Sequence, residues 1–168
     1  YSSLYKIKCI GLRFFTVYGP WGRPDMSIFK FTNNILKNKK IDIFNNGKHE
    51  RDFTYVTDVS KAFLKAAEVS ITGIALNVGS GNHYSVNSLV ELLGGEITYI
   101  PKRPGEPDCT FADVTKIQEV LDWKTEISFI DGVAEMLTHL DDWKDAPVWE
   151  PETIKQATAV WFKYLAKK

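Results

Sequence analysis

The feature that most constrains this chain is an alternation. Short runs of β-branched and aromatic residues trade places with stretches of helical spacing, and proline- and glycine-rich loops cut between them. Residues 7–18, IKCIGLRFFTVY, read as a buried strand. GPWGRPDM (19–26) holds two Pro and two Gly in eight residues and reads as a loop. Ile28, Phe31, Ile35 and Leu36 then recur at helical spacing. IDIF (41–44) is a short apolar strand that runs into the turn Asn45-Asn46-Gly47. Over 55–69, Val59, Ala62, Phe63, Ala66 and Ala67 share one helical face, with Asp58 near the positive start. IALNVG (74–79) is a strand, Ser85 caps a helix over about 86–93, and GEITYI (95–100) is another strand. The order β-α-β-α-β-α-β predicts an α/β fold with one half of a parallel sheet, short of a complete doubly wound domain.

Helices cluster after that point. The loop PKRPGEPD (101–108) has three prolines and excludes regular structure. Asp113 is expected to cap a helix at 114–121. Ser128 and Asp131 have capping-box spacing before a helix ending near Leu140. Pro151 suits the first turn of a last helix, which carries Ile154, Thr158, Trp161 and Leu165 on one side. Trp143, Trp149 and Trp161 are expected to pin that helix to the body. The reading totals four short strands and about six helices.

Composition narrows the function classes. A chain of 168 residues suggests one domain, two at most. Ten Phe, seven Tyr and five Trp supply a core and argue against disorder. Lys+Arg and Asp+Glu both number 21, a balance unlike that of nucleic-acid coating proteins. No run reaches the roughly 18 apolar residues of a membrane span. Cys9 and Cys109 make no disulfide framework, so a reducing, cytoplasmic setting is expected. The start at Tyr1, inside what reads as the end of a helix, suggests a piece of a longer protein. His49, His83 and His139 lack ligand spacing, the two cysteines meet only if the fold brings them together, and no metal site is expected. There is no G-x-S-x-G, no P-loop and no G-x-G-x-x-G after a strand. Gly79-Ser80-Gly81 reads as a tight turn.

Three arginines carry more. Arg23, Arg51 and Arg103 each fall in a loop that follows a strand, where parallel sheets place ligand crevices. Guanidinium groups there suit an anion, above all a phosphate. The competing reading is an ordinary salt bridge, with Asp52 or Asp58 for Arg51 and Glu106 for Arg103. Phe44, at a strand end, suits either base stacking or core packing. Phe14, Phe15, Tyr18 and Trp21 read as core before ligand box. The residues alone point to binding of an anionic small molecule.

Three longer strings then carry a resemblance. They are GLRFFTVYGPWGRPDM (11–26), IDIFNNGKHERDFTYVTDV (41–59) and PKRPGEPDCTFADVTKIQEVLDW (101–123). In order and spacing they resemble the NAD-dependent nucleotide-sugar epimerase/dehydratases, the extended short-chain dehydrogenase/reductases, and among them the UDP-glucuronate 4-epimerase branch. The resemblance implies the C-terminal part of such a protein. Residues 1–20 would be the last part of the Rossmann sheet, 21–140 the nucleotide-sugar-binding region and 141–168 a helical extension. It implies that Arg51 and Arg103 hold a diphosphate and that Glu106 accepts a ribose hydroxyl. Asp42 and Phe44 would hold the uracil, and Thr16 and Arg23 a sugar carboxylate, with Arg23 weighing most in substrate choice. Phe14 and Phe15 would line the nicotinamide end of NAD. The cofactor's glycine-rich loop and the catalytic Tyr-x-x-x-Lys pair are not in this sequence, so no catalytic residue is assigned. The implied reaction of the whole protein is C4 epimerisation of a UDP-sugar through a 4-keto intermediate, by a homodimer. A 4,6-dehydratase or decarboxylase of the same family is the alternative within the class, and a non-catalytic nucleotide-sugar binding module the alternative outside it.

Overall fold

A computed structural model describes residues 2–23, 26–102, 104–144 and 151–165. In chain order the elements are α1 (Ser2–Tyr5), β1 (Ile10–Phe14), β2 (Thr16–Tyr18), α2 (Ser27–Leu36), β3 (Ile41–Phe44), β4 (Glu50–Arg51), β5 (Phe53–Tyr55) and α3 (Val56–Glu68). There follow β6 (Ile74–Val78), β7 (Tyr84–Ser85), α4 (Val86–Leu93), β8 (Ile97–Ile100), β9 (Cys109–Thr110), α5 (Thr115–Leu121), α6 (Phe129–Thr138) and α7 (Pro151–Leu165). Short 3-10 turns sit at Asn45–Gly47 and Leu140–Trp143. No helix among the described residues is long and apolar enough to cross a membrane.

The strands are parallel where the alternation predicts, but they do not share one ladder. β1 pairs with β6, β2 with β5 and β3 with β8, all parallel, while β4 lies between antiparallel β7 and parallel β9. The expected single strand 7–18 is two strands. Phe15 N–H donates to Val78 O at 3.3 Å and Thr16 N–H donates to Asp52 O at 3.0 Å, so the chain changes partners across one peptide. Four two- and three-residue strands (β4, β5, β7, β9) escaped the sequence reading because they are shorter than any periodicity.

Two apolar clusters result. Val59, Ala62, Leu76, Val78, Ile117, Leu121 and Trp123 pack under the β1–β6 pair. The larger cluster joins β2, β3 and β5 to α2, α4 and α6, with Ile41, Ile43, Leu89 and Met136 fully buried. Tyr18 belongs to it, edge-on to Tyr55 and Phe53, with its hydroxyl donating to Phe129 O at 3.3 Å. Burial, then the neighbouring Tyr55 and Tyr84, pushes the Tyr18 phenol well above its usual value. A Cβ on Gly132 would come within 2.1 Å of that hydroxyl, so α6 can approach β2 only with glycine there. The other aromatics of the 14–21 run are not core: Phe14 is 44% exposed and packs on Phe63, and Trp21 is 84% exposed.

Capping follows the sequence with small differences. Ser85 accepts from Ser88 N–H and Ser128 from Asp131 N–H. Asp131 Oδ2 accepts from the Ser128 hydroxyl at 2.6 Å rather than from the Ser128 backbone N–H of a full capping box. Asp113 accepts from Thr115 N–H at 3.0 Å from one position before the helical cap, because α5 begins one residue later than expected. Asp58 does more than face the helix dipole. It is fully buried and accepts from Glu126 and Ile127 N–H at 3.1 and 3.0 Å, while Trp123 Nε1 donates to its carbonyl. Trp143 is buried and stacks on Phe29 at 5.1 Å, whereas Trp161 is 61% exposed; Trp149 lies outside the described residues.

Candidate functional site

A cleft of about 240 Å³ opens where β2, β3, β4 and the start of α2 converge. Thr16, Asp42, Phe44, Arg51 and Glu106 all line it, together with Met26, Ser27, Lys30, Phe31, His49 and Val86. The β3 alternation explains part of this. Ile41 and Ile43 point into the core with no exposure, so Asp42 and Phe44 point the other way, into the cleft. The N-terminus of α2 contributes Ser27 and the positive end of its dipole, with Lys30 one turn on.

Arg51 stands in strand β4 rather than in a loop. Its side chain is 16% exposed and reaches Glu106 at 3.0 Å, and it also donates to Glu50 O at 2.7 Å. The expected salt-bridge partners were Asp52 or Asp58 for Arg51, and Arg103 for Glu106. The ladder β4–β9 decides otherwise: it brings Glu106 to Arg51, while Asp52 turns inward. Arg103 lies outside the described residues.

Asp52 is the residue that sequence reasoning missed. It is fully buried, and its carboxylate accepts from Ser80 N–H (2.6 Å), Ser80 Oγ (2.8 Å), Gly81 N–H (3.0 Å), Ala112 N–H (3.1 Å) and Thr54 Oγ1 (3.1 Å). The Gly79-Ser80-Gly81 turn therefore does cradle an anion, but an internal one. A Cβ on Gly79 would meet Asp52 Oδ2 at 2.6 Å and Ala112 Cβ at 2.4 Å. This knot fixes the segment that follows Arg51. Lys30 was also missed, although its spacing of three from Ser27 was a usable signal.

A second hollow of about 540 Å³ adjoins the cleft across Met26 and holds Arg23. Phe15, Val17, Tyr18, Gly19, Pro20 and Val56 complete its walls with Trp21, Gly22 and Met26. Phe14 lines neither hollow. The structure thus gathers five of the expected site residues, sets Arg23 and Phe15 next door, and leaves Phe14 against Phe63.

The arrangement offers guanidinium, ammonium and a helix start to an anion, an aromatic face beside them, and carboxylates for hydroxyl groups. The sequence profile of the NAD dependent epimerase/dehydratase family matches residues 1–79. By sequence and by fold, the chain is related to that family. A UDP-glucuronate 4-epimerase of Thermodesulfobacterium geofontis is 38% identical over 143 residues, covering 79% of this chain and 43% of that protein. UDP-glucuronate 4-epimerase 4 of Arabidopsis thaliana is 34% identical over 160 residues, 82% of this chain and 37% of its own length. A UDP-glucuronic acid 4-epimerase from Bacillus cereus, solved with UDP-glucuronic acid and NAD, superposes with a TM-score of 0.79 at 30% identity, over 84% of this chain and 48% of that one. A UDP-glucose 4-epimerase from Thermotoga maritima, solved with UDP-glucose, gives 0.78 at 31% identity, with coverage of 84% and 48%. The chain spans about half the length, or less, of the curated relatives it matches, and corresponds to the C-terminal part of the epimerase/dehydratase proteins.

Proposed function

We propose that this chain is the nucleotide-sugar-binding part of an NAD-dependent UDP-sugar 4-epimerase, with a UDP-hexuronate as substrate. The observation that carries the reading is the convergence of Thr16, Asp42, Phe44, Arg51 and Glu106 on one cleft. Arg51 and Arg103 hold the diphosphate, which needs positioning rather than chemistry, and two guanidiniums suit it geometrically. Phe44 gives uracil an aromatic face, Asp42 lies beside it, and Glu106 accepts a ribose hydroxyl. The sugar extends past Met26 into the larger hollow, where Arg23 meets its carboxylate and Thr16 lies at the junction. Glu106 holds the Arg51 guanidinium in place by its ion pair.

The residues present fit the nicotinamide end of NAD and no more of it. Phe15 borders the larger hollow with Gly19 and Pro20, and Phe14 and Phe63 form a half-exposed apolar face beside β1. NAD, when bound, supplies a hydride acceptor and donor. The exposed Phe14–Phe63 pair supports a covering body of protein on that side, as a longer parent enzyme provides.

A calorimetric titration of the chain with UDP, UDP-glucuronate, UDP-glucose and NAD tests this. The expected result is one UDP site, a preference for the glucuronate, and loss of that preference in Arg23→Ala. Arg51→Ala is expected to weaken UDP by about 1.5–3 kcal/mol, as for a hydrogen bond to a charged group. Arg103→Ala should do the same. UDP binding that ignores Arg51→Ala would remove the cleft from the reading.

A further inference from the structure

Three donor side chains that the cleft does not use meet on the other side of β4. Glu50 and Arg51 are successive residues of that strand, so their side chains point to opposite faces. His83 Nδ1 lies 2.8 Å from Glu50 Oε2, and the Cys109 thiol stands beside the same carboxylate. One ligand atom from each of Glu50, His83 and Cys109 lies within 4.8 Å of the other two. Backbone ladders hold the three positions: Cys109 stands opposite Glu50 in the β4–β9 register, and His83 immediately precedes β7, whose Tyr84 stands opposite Arg51. The Phe111 ring lies against the His83 imidazole at 5.4 Å.

We propose that Glu50, His83 and Cys109 form a binding site for one zinc-class divalent cation, with solvent in the fourth position. Bonds of about 2.0–2.3 Å in a tetrahedron set ligand atoms about 3.3–3.8 Å apart, so small side-chain rotations suffice. A thiolate with an imidazole selects zinc-like ions over calcium or magnesium, which take oxygen ligands. Binding would displace the thiol proton to solvent and leave the neutral imidazole as a ligand. The three ligands come from segments far apart in the chain, which is why ligand spacing in the sequence gives no sign of them. The inference stands on this cluster alone and does not depend on the nucleotide-sugar reading.

The test uses the reduced, metal-stripped 168-residue chain, titrated with Zn²⁺ by calorimetry and with Co²⁺ by absorption. One Zn²⁺ per chain is expected, and the Co²⁺ form should show tetrahedral bands with a sulfur-to-cobalt charge-transfer band. Cys109→Ser and His83→Gln should each weaken Zn²⁺ at least tenfold, since even residues that only support a ligand cost that much. Cys109→Ser should also abolish the charge-transfer band, while Cys9→Ser leaves it intact. Saturation at no stoichiometric site, a charge-transfer band that follows Cys9, or a Zn²⁺ affinity indifferent to both variants overturns the proposal. The Co²⁺ spectrum of the unmutated chain keeps the test valid if a variant folds poorly.

Discussion

Asp52 offers the sharpest perturbation. Its buried carboxylate accepts three backbone N–H groups and two hydroxyls and ties β5, the 79–81 turn and Ala112 together. Asp52→Ala strands the N–H groups of Ser80, Gly81 and Ala112, and each unmet donor costs about 1–3 kcal/mol. Removing the desolvated charge offsets part of this, so a net loss of about 3–5 kcal/mol is expected, the range for breaking a buried charged contact. Asp52→Asn is the informative control. An amide NH2 in place of Oδ2 would face two N–H donors, Gly81 and Ala112. In place of Oδ1 it would face one, Ser80 N–H, and the Ser80 and Thr54 hydroxyls can turn to accept. The amide should therefore adopt the second orientation and cost about 1–3 kcal/mol, one unmet donor. Urea unfolding followed by the fluorescence of buried Trp123 and Trp143 measures both variants. An asparagine variant as damaged as the alanine variant, or both within about 0.5 kcal/mol of the parent chain, would refute the assignment of the donors.

Trp143→Ala should cost about 3–5 kcal/mol in the same assay, while Trp161→Ala stays within about 0.5 kcal/mol, because only the first is buried. Lys61 holds the Glu126 carboxyl below its usual value by a hydrogen bond. A depressed carboxyl stabilises the fold fully above its unfolded value and loses that contribution as pH falls through the folded one. Lys61→Ala should therefore flatten stability against pH across that acidic window, and an unchanged slope would refute it. Ser85→Ala removes the acceptor for Ser88 N–H and should cost about 1 kcal/mol, read from the urea midpoint.

Much of the fold is legible where elements are long enough to show a period. The helices α2, α3 and α4, the strand β3 and the Ser128 cap all fall where spacing and capping chemistry put them. The two-residue strands are invisible for lack of a period, and Phe15 is an unmarked break because one peptide carries it. The sequence marks Arg51 as a candidate site cation, but its pairing with Glu106 was not legible, since it exists only once β9 lies beside β4. Asp52 reads in sequence as one more acid beside an arginine. Its burial follows from the turn that closes over it.

The strand pairing also sets how the chain reaches this state. No strand among the described residues bonds to its sequence neighbour: Ile10 finds Ile74, Thr16 finds Phe53, Ile41 finds Ile97 and Glu50 finds Cys109. Each ladder must close a loop of tens of residues before its first hydrogen bond forms, and no hairpin is available as an early local nucleus. Helices can flicker early, but the sheets arrive late and together. Refolding from urea is expected in the slow range of non-local topologies, milliseconds to seconds.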